Sequence, residues 1–251
     1  MQKAKVLILA TQGVTTNLLY NSLAEKAIIS TVILENAESK KAIIKRRIKK
    51  LGVIKTVGQI SFMLFVLPFI KTKKERVKAI INTNNITDTE IPNSIIKRIN
   101  SVHDLSLIDI INTEKPTLIF VNGTRILKQK LLQEINCPIV NIHVGITPKY
   151  RGVHGGYWAL YNNEPNLFGV TLHYIDKGID TGQIIAQQII KVEKEDNFKT
   201  YPVLQYCAGI NLIQENFEAI LNGETPTPPP LTNESNLYYH PTIWNYIFGK
   251  G

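Results

Sequence analysis

Two rhythms of apolar and polar positions run along this chain. Lys5 to Ala10 (KVLILA), Ser30 to Glu35 (STVILE) and Pro116 to Val121 (PTLIFV) are short, nearly unbroken apolar runs, the pattern of parallel strands covered on both faces. Between them, about Asn17 to Lys26 and Asp104 to Thr113 (DLSLIDIINT) carry apolar residues at helical spacing. Pro138 to His143 (PIVNIH), Phe168 to Ile175 (FGVTLHYI) and Gln183 to Val192 (QIIAQQIIKV) read as further strands, with a short helix over Val153 to Asn162. Ile80 to Asn100 is mixed and polar, a short strand among loops. Asn197 to Gly223 predicts a long helix that Gly223 is suited to stop. Strands alternating with helices predict an α/β fold, Rossmann-like, with a mostly parallel sheet and helices on both faces.

Two stretches do not fit that rhythm. KKAIIKRRIKK leads into the apolar Leu51 to Ile70, and KTKKERVK follows. The chain has a net charge of +9, and residues 40–78 hold 13 Lys and Arg against one acid, Glu75, so the remainder sums to −3. The basic character is local, which argues against nucleic acid binding over the whole fold. The uncharged part, Thr56 to Ile70, is 15 residues and contains Gly58 and Pro68. A spanning helix needs roughly 18 or more. The segment at about 40–78 therefore predicts an inserted, basic and apolar helical hairpin, packing on its own domain or on a second subunit of a homodimer. A peripheral membrane contact, apolar face down with lysines at anionic headgroups, is the alternative. An RNA patch with Phe62, Phe65 and Phe69 is a further one. The second stretch starts at Thr225 to Pro230 (TPTPPP), an extended linker, and ends in an aromatic tail, Leu237 to Thr242 with Trp244. That tail either clamps onto the core or stacks on a base or sugar. Residues 1–223 are expected to form the catalytic domain and 224–251 the linker and tail. Cys137 and Cys207 make no disulfide framework and have no metal-ligand spacing. They fit a cytoplasmic protein, with the basic segment allowing contact with the inner face of the membrane. The apolar run at the N-terminus is too short for a signal peptide.

The candidate chemistry sits between Asn141 and Gly182. Asn141 and His143, two apart on a strand, point to the same side of it. The turn after the FGVTLHYI strand carries Asp180. An amide can hydrogen-bond a developing oxyanion, an imidazole can move a proton, and a carboxylate can orient and charge-stabilise that imidazole. His154 is a second histidine close by, either touching substrate or starting a helix. His173, within the strand, reads as a packed strand histidine. Near the N-terminus, Gly13, Thr15 and Thr16 sit in a loop that opens a helix. Such a loop either holds an anion on free backbone N–H groups or is an ordinary capped turn.

NIHVGITPKYRG (141–152) followed by GVTLHYIDKGIDTG (169–182) resembles the signature of the N10-formyltetrahydrofolate-dependent formyltransferases. This family includes glycinamide ribonucleotide, methionyl-tRNA and sugar-nucleotide enzymes. The likeness covers residues 100–190 well, the first strand and helix loosely, and residues 40–80 not at all; there is one residue more than in the glycinamide enzymes between His154 and Gly169. It implies a formyltransferase-type fold and formyl transfer to a primary amine, with N10-formyltetrahydrofolate as cosubstrate and no metal. It implies Asn141, His143 and Asp180 as catalytic. Arg125, Ile126 and Leu127, whose segment's backbone binds the pterin ring in the family, are implied as folate contacts, with Asp176 and Ile179. Gly13, Thr15 and Thr16, through an acceptor phosphate, and His154 and Trp158 are implied for the acceptor. An amino-sugar nucleotide, in a step of polysaccharide biosynthesis, is the expected acceptor. The 28 residues after Gly223 leave no room for the barrel domain of the methionyl-tRNA enzymes. Glycinamide ribonucleotide is the runner-up. Hydrolysis of formyltetrahydrofolate follows, although such hydrolases usually carry a regulatory domain ahead of the first strand. A membrane- or RNA-docked relative without turnover is the rival from another class.

Overall fold

The computed structural model describes residues 3–249. Met1, Gln2, Lys250 and Gly251, the outer ends of the expected catalytic domain and tail, lie outside the described residues. In chain order the elements are β1 (Lys5–Ala10), α1 (Val14–Ala24), β2 (Ile28–Glu35), α2 (Lys40–Leu51), α3 (Val53–Phe65), α4 (Lys74–Thr83), β3 (Ile96–Ile99), α5 (Leu105–Glu114) and β4 (Leu118–Asn122). There follow α6 (Gln129–Gln133), β5 (Ile139–His143), β6 (Arg151–Gly152), α7 (Gly155–Tyr161), β7 (Gly169–Tyr174), β8 (Ile184–Ile189), α8 (Tyr201–Asn222), β9 (Leu237–Tyr238) and α9 (Ile243–Phe248).

Seven strands make one sheet in the order β3-β2-β1-β4-β5-β7-β8. The first five are mutually parallel; β7 runs antiparallel to β5, and β8, antiparallel to β7, returns to the direction of the first five. The apolar runs become the central strands because both faces are covered. Val6 and Ile8 pack with Leu18 of α1 and Ile213 and Phe217 of α8. Leu7 and Leu9 pack with Leu107 and Ile111 of α5 and Leu131 of α6. Each such side chain contributes about 1.5–3 kcal/mol on burial. Gly209 lets α8 lie close on β5: a Cβ there would stand 2.4 Å from Ile142 Cγ2. Gly223, at φ 71°, ends α8.

Three boundaries differ from the pattern. Helix α1 begins at Val14, because Thr16 Oγ1 bonds Thr11 O (2.6 Å) and draws the threonines into the first turn. The first turn expected of α8 is instead a separate bend, closed by Asn197 N donating to Thr200 Oγ1 (2.8 Å). Residues 74–78, expected in the insertion, instead begin α4, which runs on to Thr83 and joins the core: Ile80 and Ile81 are buried there, and Arg76 forks onto the buried Asp196 at 2.9 and 2.8 Å. Helices α2 and α3 stand outside the sheet and its covering helices.

The tail packs back onto the body. β9 pairs in parallel with β6. Tyr238 stacks on Tyr150 (5.2 Å between centroids) and on Trp158 (5.1 Å). Beyond it, α9 lies against α3, with Phe62 and Tyr246 edge to face at 5.6 Å.

Candidate active site

Val140 and Ile142 point into the core beneath α8, which turns Asn141 and His143 to the other face of β5. The antiparallel neighbour β7 sets His173 opposite Asn141 and Thr171 opposite His143. Two cross-strand pairs therefore bring four polar side chains onto one patch of the sheet.

The hydrogen bonds fix the state of one histidine. A carbonyl only accepts, so His173 Nδ1 must carry the hydrogen donated to Tyr174 O (2.8 Å). In the neutral ring Nε2 is then an acceptor, and Asn141 Nδ2 lies 3.2 Å from it. Burial, and then the neighbouring His143, hold His173 below the usual histidine range, which favours that neutral ring. Asn141 is thereby held with one amide hydrogen spent and one free.

His143 is buried and bridged on both nitrogens. Its Nε2 donates to Tyr150 O (2.6 Å), and its Nδ1 lies 3.3 Å from Asp180 Oδ2. The same oxygen of Asp180 accepts from Gly152 N (2.8 Å), while Oδ1 stands 3.8 Å from His173 Nε2. Asp180 itself is left-handed, at φ 50°, a conformation that costs a non-glycine residue about 1 kcal/mol or more.

The turn from β5 to β6 is built to hold Tyr150 O and Gly152 N in place. Lys149 Nζ is gripped by Glu164 (2.7 Å) and Glu234 (3.0 Å), and Tyr150 OH donates to Glu164. These contacts depress the Glu164 carboxyl, Lys149 first and Tyr150 second. Thr171 Oγ1 donates to Gly145 O (2.8 Å) and accepts from Thr147 N (3.1 Å). Gly145 leaves room for the imidazole: a Cβ there would be 2.8 Å from His143 Nε2 and 2.5 Å from Tyr150 O. Beside Asp180 opens a cleft of about 300 Å³, lined by Thr147, Pro148, Ile184, Thr227, Pro228 and Pro230 among others, so the proline-rich linker forms one wall.

The other candidates lie as follows. Asp176 Oδ1 accepts from Gly178 N (2.9 Å) and Thr181 Oγ1 (2.7 Å), shaping the loop that delivers Asp180. Ile179 O accepts from Arg151 Nη1 (3.3 Å). Arg125 is committed to Glu35 through its guanidinium and also its backbone N–H (2.8 Å). Leu127 is core and Ile126 is exposed. Asn122 Nδ2 donates to Thr15 Oγ1 (3.1 Å) and Thr16 Oγ1 (2.9 Å), which uses both hydroxyls within the fold; Gly13 stands in open space. His154 opens α7 at φ 59°, with Nε2 2.9 Å from His240 Nδ1 and its ring 4.6 Å from that of Phe198. Trp158 Nε1 donates to Tyr239 O (2.9 Å). His154 and Trp158 thus hold the tail.

The structure brings Asn141, His143 and Asp180 together, and adds His173, Tyr150 O and Gly152 N. Sequence reasoning left His173 as packing. Its signal is the alternation in GVTLHY, where Thr171 and His173 repeat the two-residue spacing of Asn141 and His143. The two backbone groups leave no trace in residue types.

The sequence model of the family described as formyl transferase matches residues 5–203 of this chain. A methionyl-tRNA formyltransferase from Thermodesulfovibrio yellowstonii is 37% identical over 119 residues, which is 47% of this chain and 37% of that protein. The chain spans about a third of the length of the curated relatives it matches. Among solved structures, a phosphoribosylglycinamide formyltransferase from Anaplasma phagocytophilum superposes with a TM-score of 0.59 at 18% identity, covering 94% of this chain and 98% of that one. A sugar N-formyltransferase from a Shewanella species gives 0.57 at 16% identity, covering 94% and 76%. At such identities the likeness is one of fold.

Proposed function

The chain belongs to the formyl transferase family, and on that premise we propose that it transfers a formyl group from N10-formyltetrahydrofolate to a primary amine, with an amino-sugar nucleotide as acceptor. The observation that carries this reading is the meeting of Asn141, His143, His173 and Asp180 through contacts of 3.2, 3.3 and 3.8 Å beside an open cleft.

The cleft has the character a folate ring takes: Pro148, Ile184 and Pro228 give apolar lining, and Asp180 adds a carboxylate to it. When bound, the formyl donor supplies an electrophilic carbonyl carbon to the amine and, at N10, a place for the proton the amine loses. Asn141 does the next part. Its free amide hydrogen is the donor available to the carbonyl oxygen as negative charge gathers there, and such a donor is worth roughly 10²–10³ in kcat. His143 Nε2 is engaged by Tyr150 O, so His143 acts through Nδ1, which faces Asp180 Oδ2 at 3.3 Å. Asp180 takes the amine's proton and returns it toward N10, directly or through water, as the bond from the formyl carbon to N10 breaks and tetrahydrofolate leaves. Tyr150 O and Gly152 N keep the imidazole and carboxylate from turning away.

Residues 40–80 depart from the pattern of the glycinamide enzymes, which is what favours a sugar-nucleotide acceptor. Mixing the protein with N10-formyltetrahydrofolate and a panel of amino-sugar nucleotides, glycinamide ribonucleotide and methionyl-tRNA, with mass analysis of the products, tests it. A formylated amino sugar supports the reading. Formylation of another acceptor alone replaces the acceptor, and no product in any arm ends the proposal.

A further inference from the structure

Helix α3 is packed inside out. The face it buries carries Thr56, Gly58, Gln59 and Phe62. Gly58 admits Trp244, whose Nε1 would be 2.8 Å from a Cβ there; Gln59 Nε2 donates to His240 O (2.9 Å). The opposite face, at three- and four-residue steps, shows its apolar side chains to solvent: Ile54 is 79% exposed, Leu64 60% and Phe65 66%. In α9, packed beside it, Phe248 is 78% exposed. A patch of large apolar side chains, over a buried face anchored by Phe62 and the Gln59 amide while Gln59 Oε1 has no partner, marks a surface that meets something.

Helix α2, its partner in the hairpin, buries none of its residues and is rich in cations. Among the described residues, Lys40, Lys41, Lys45, Lys49 and Lys50 have no ion pair there. The neighbouring charge decides what the occupant is. A second copy meeting this face symmetrically would set two segments, each with 8 Lys and Arg and no acid over residues 40–65, against each other. Nucleic acid would match the charge but not the aliphatic Ile54 and Leu64, which cannot stack on bases. No single helix among the described residues is long and apolar enough to cross a membrane; the one bent pair that passes by length and composition, Val53–Phe69 with Lys74–Thr83, turns through 89° and its second arm buries Ile80 and Ile81 in the core, which favours a surface position. We infer that α2, α3 and α9 form a docking face for an anionic lipid bilayer: Ile54, Leu64, Phe65 and Phe248 enter the acyl boundary, and the lysines of α2 lie at the phosphates.

Vesicles of phosphatidylcholine with about a third phosphatidylglycerol, and vesicles of phosphatidylcholine alone, provide the test. The intact protein should sediment with the anionic vesicles, less as salt rises, and not with the neutral ones. The emission of Trp244 should shift to the blue on binding; the other tryptophan, Trp158, is already buried. Lys45→Glu with Lys49→Glu, and separately Leu64→Ser with Phe65→Ser, should each weaken partition by roughly tenfold or more. Both pairs are at the surface, and circular dichroism verifies that the variants fold. Any of three results overturns the inference: no binding to anionic vesicles at low salt, equal binding to neutral ones, or binding unchanged in both variants. So does a dimer, seen by sedimentation velocity, that Leu64→Ser with Phe65→Ser dissolves while vesicles bind nothing.

Discussion

Asn141 Nδ2 lies 3.2 Å from His173 Nε2, across the β5–β7 ladder. Because His173 Nδ1 is spent on Tyr174 O, the ring holds the Asn141 amide in one of its two orientations. His173→Leu should free that amide to flip and lower kcat about tenfold, the worth of one hydrogen bond, with KM little changed. His173→Gln, which can still accept, should recover part of the loss. Steady-state kinetics with both variants checks this; a rise in KM with the fall in kcat, not recovered by His173→Gln, would assign His173 to packing instead.

Gly152 ties the tail to the site. Its φ is 95°, and a Cβ would stand 2.2 Å from Tyr238 O while its N–H bonds Asp180. Gly152→Ala should therefore part β6 from β9 and loosen Asp180, costing about 2 kcal/mol of stability and a large part of kcat. Thermal unfolding and turnover measured on the same sample should fall together.

Burial alone would raise the carboxyl of Asp196, but the Arg76 fork outweighs it and holds the group below the usual carboxylate range. Arg76→Met strands that charge with its side chain fully covered. The expected loss is on the order of 3 kcal/mol, read by urea unfolding. Arg76→Met combined with Asp196→Asn should recover much of it.

The histidine pair that clamps the tail should make stability depend on pH. Burial, then His240 and Arg47, push His154 down to about 3. Burial, then Arg47, push His240 down to about 4. A histidine with a lowered folded value contributes fully above its unfolded value, about 6.5, and loses that contribution as pH falls toward the folded one. Stability should decline by about 1.4 kcal/mol per pH unit per histidine between roughly pH 6.5 and 4. Unfolding followed from pH 7 to pH 4.5 shows the slope, and His240→Asn should reduce it by more than half. A flat profile in the wild type would contradict the clamp.

How much of this was legible in the residues follows from which forces leave a pattern. Strands β1 and β4 are covered on both faces, so they read as unbroken apolar runs. The spacing of Asn141 and His143 tells which face they share because strand geometry dictates it. It does not tell which strand lies alongside, and His173 enters the site only through that pairing. The β6–β9 ladder is two residues on each side, too short for any period to register. The lysine-rich first half of α4 falls in the expected insertion at about 40–78, while Ile80 and Ile81, expected in a stretch of short strand and loops, decide where the helix packs. Arg125 offers another case: a cation beside a ligand loop looks available until the distant Glu35 is found to occupy it.

The central claim is that Asn141 and the His143–Asp180 pair act on one formyl carbon. Release of tetrahydrofolate on addition of an accepted amine, compared among wild type, Asn141→Ala and Asp180→Asn, measures it most directly. Each variant should fold and lose roughly 10²–10³ in kcat. A folded Asn141→Ala or Asp180→Asn protein that still turns over near the wild-type rate would contradict the account.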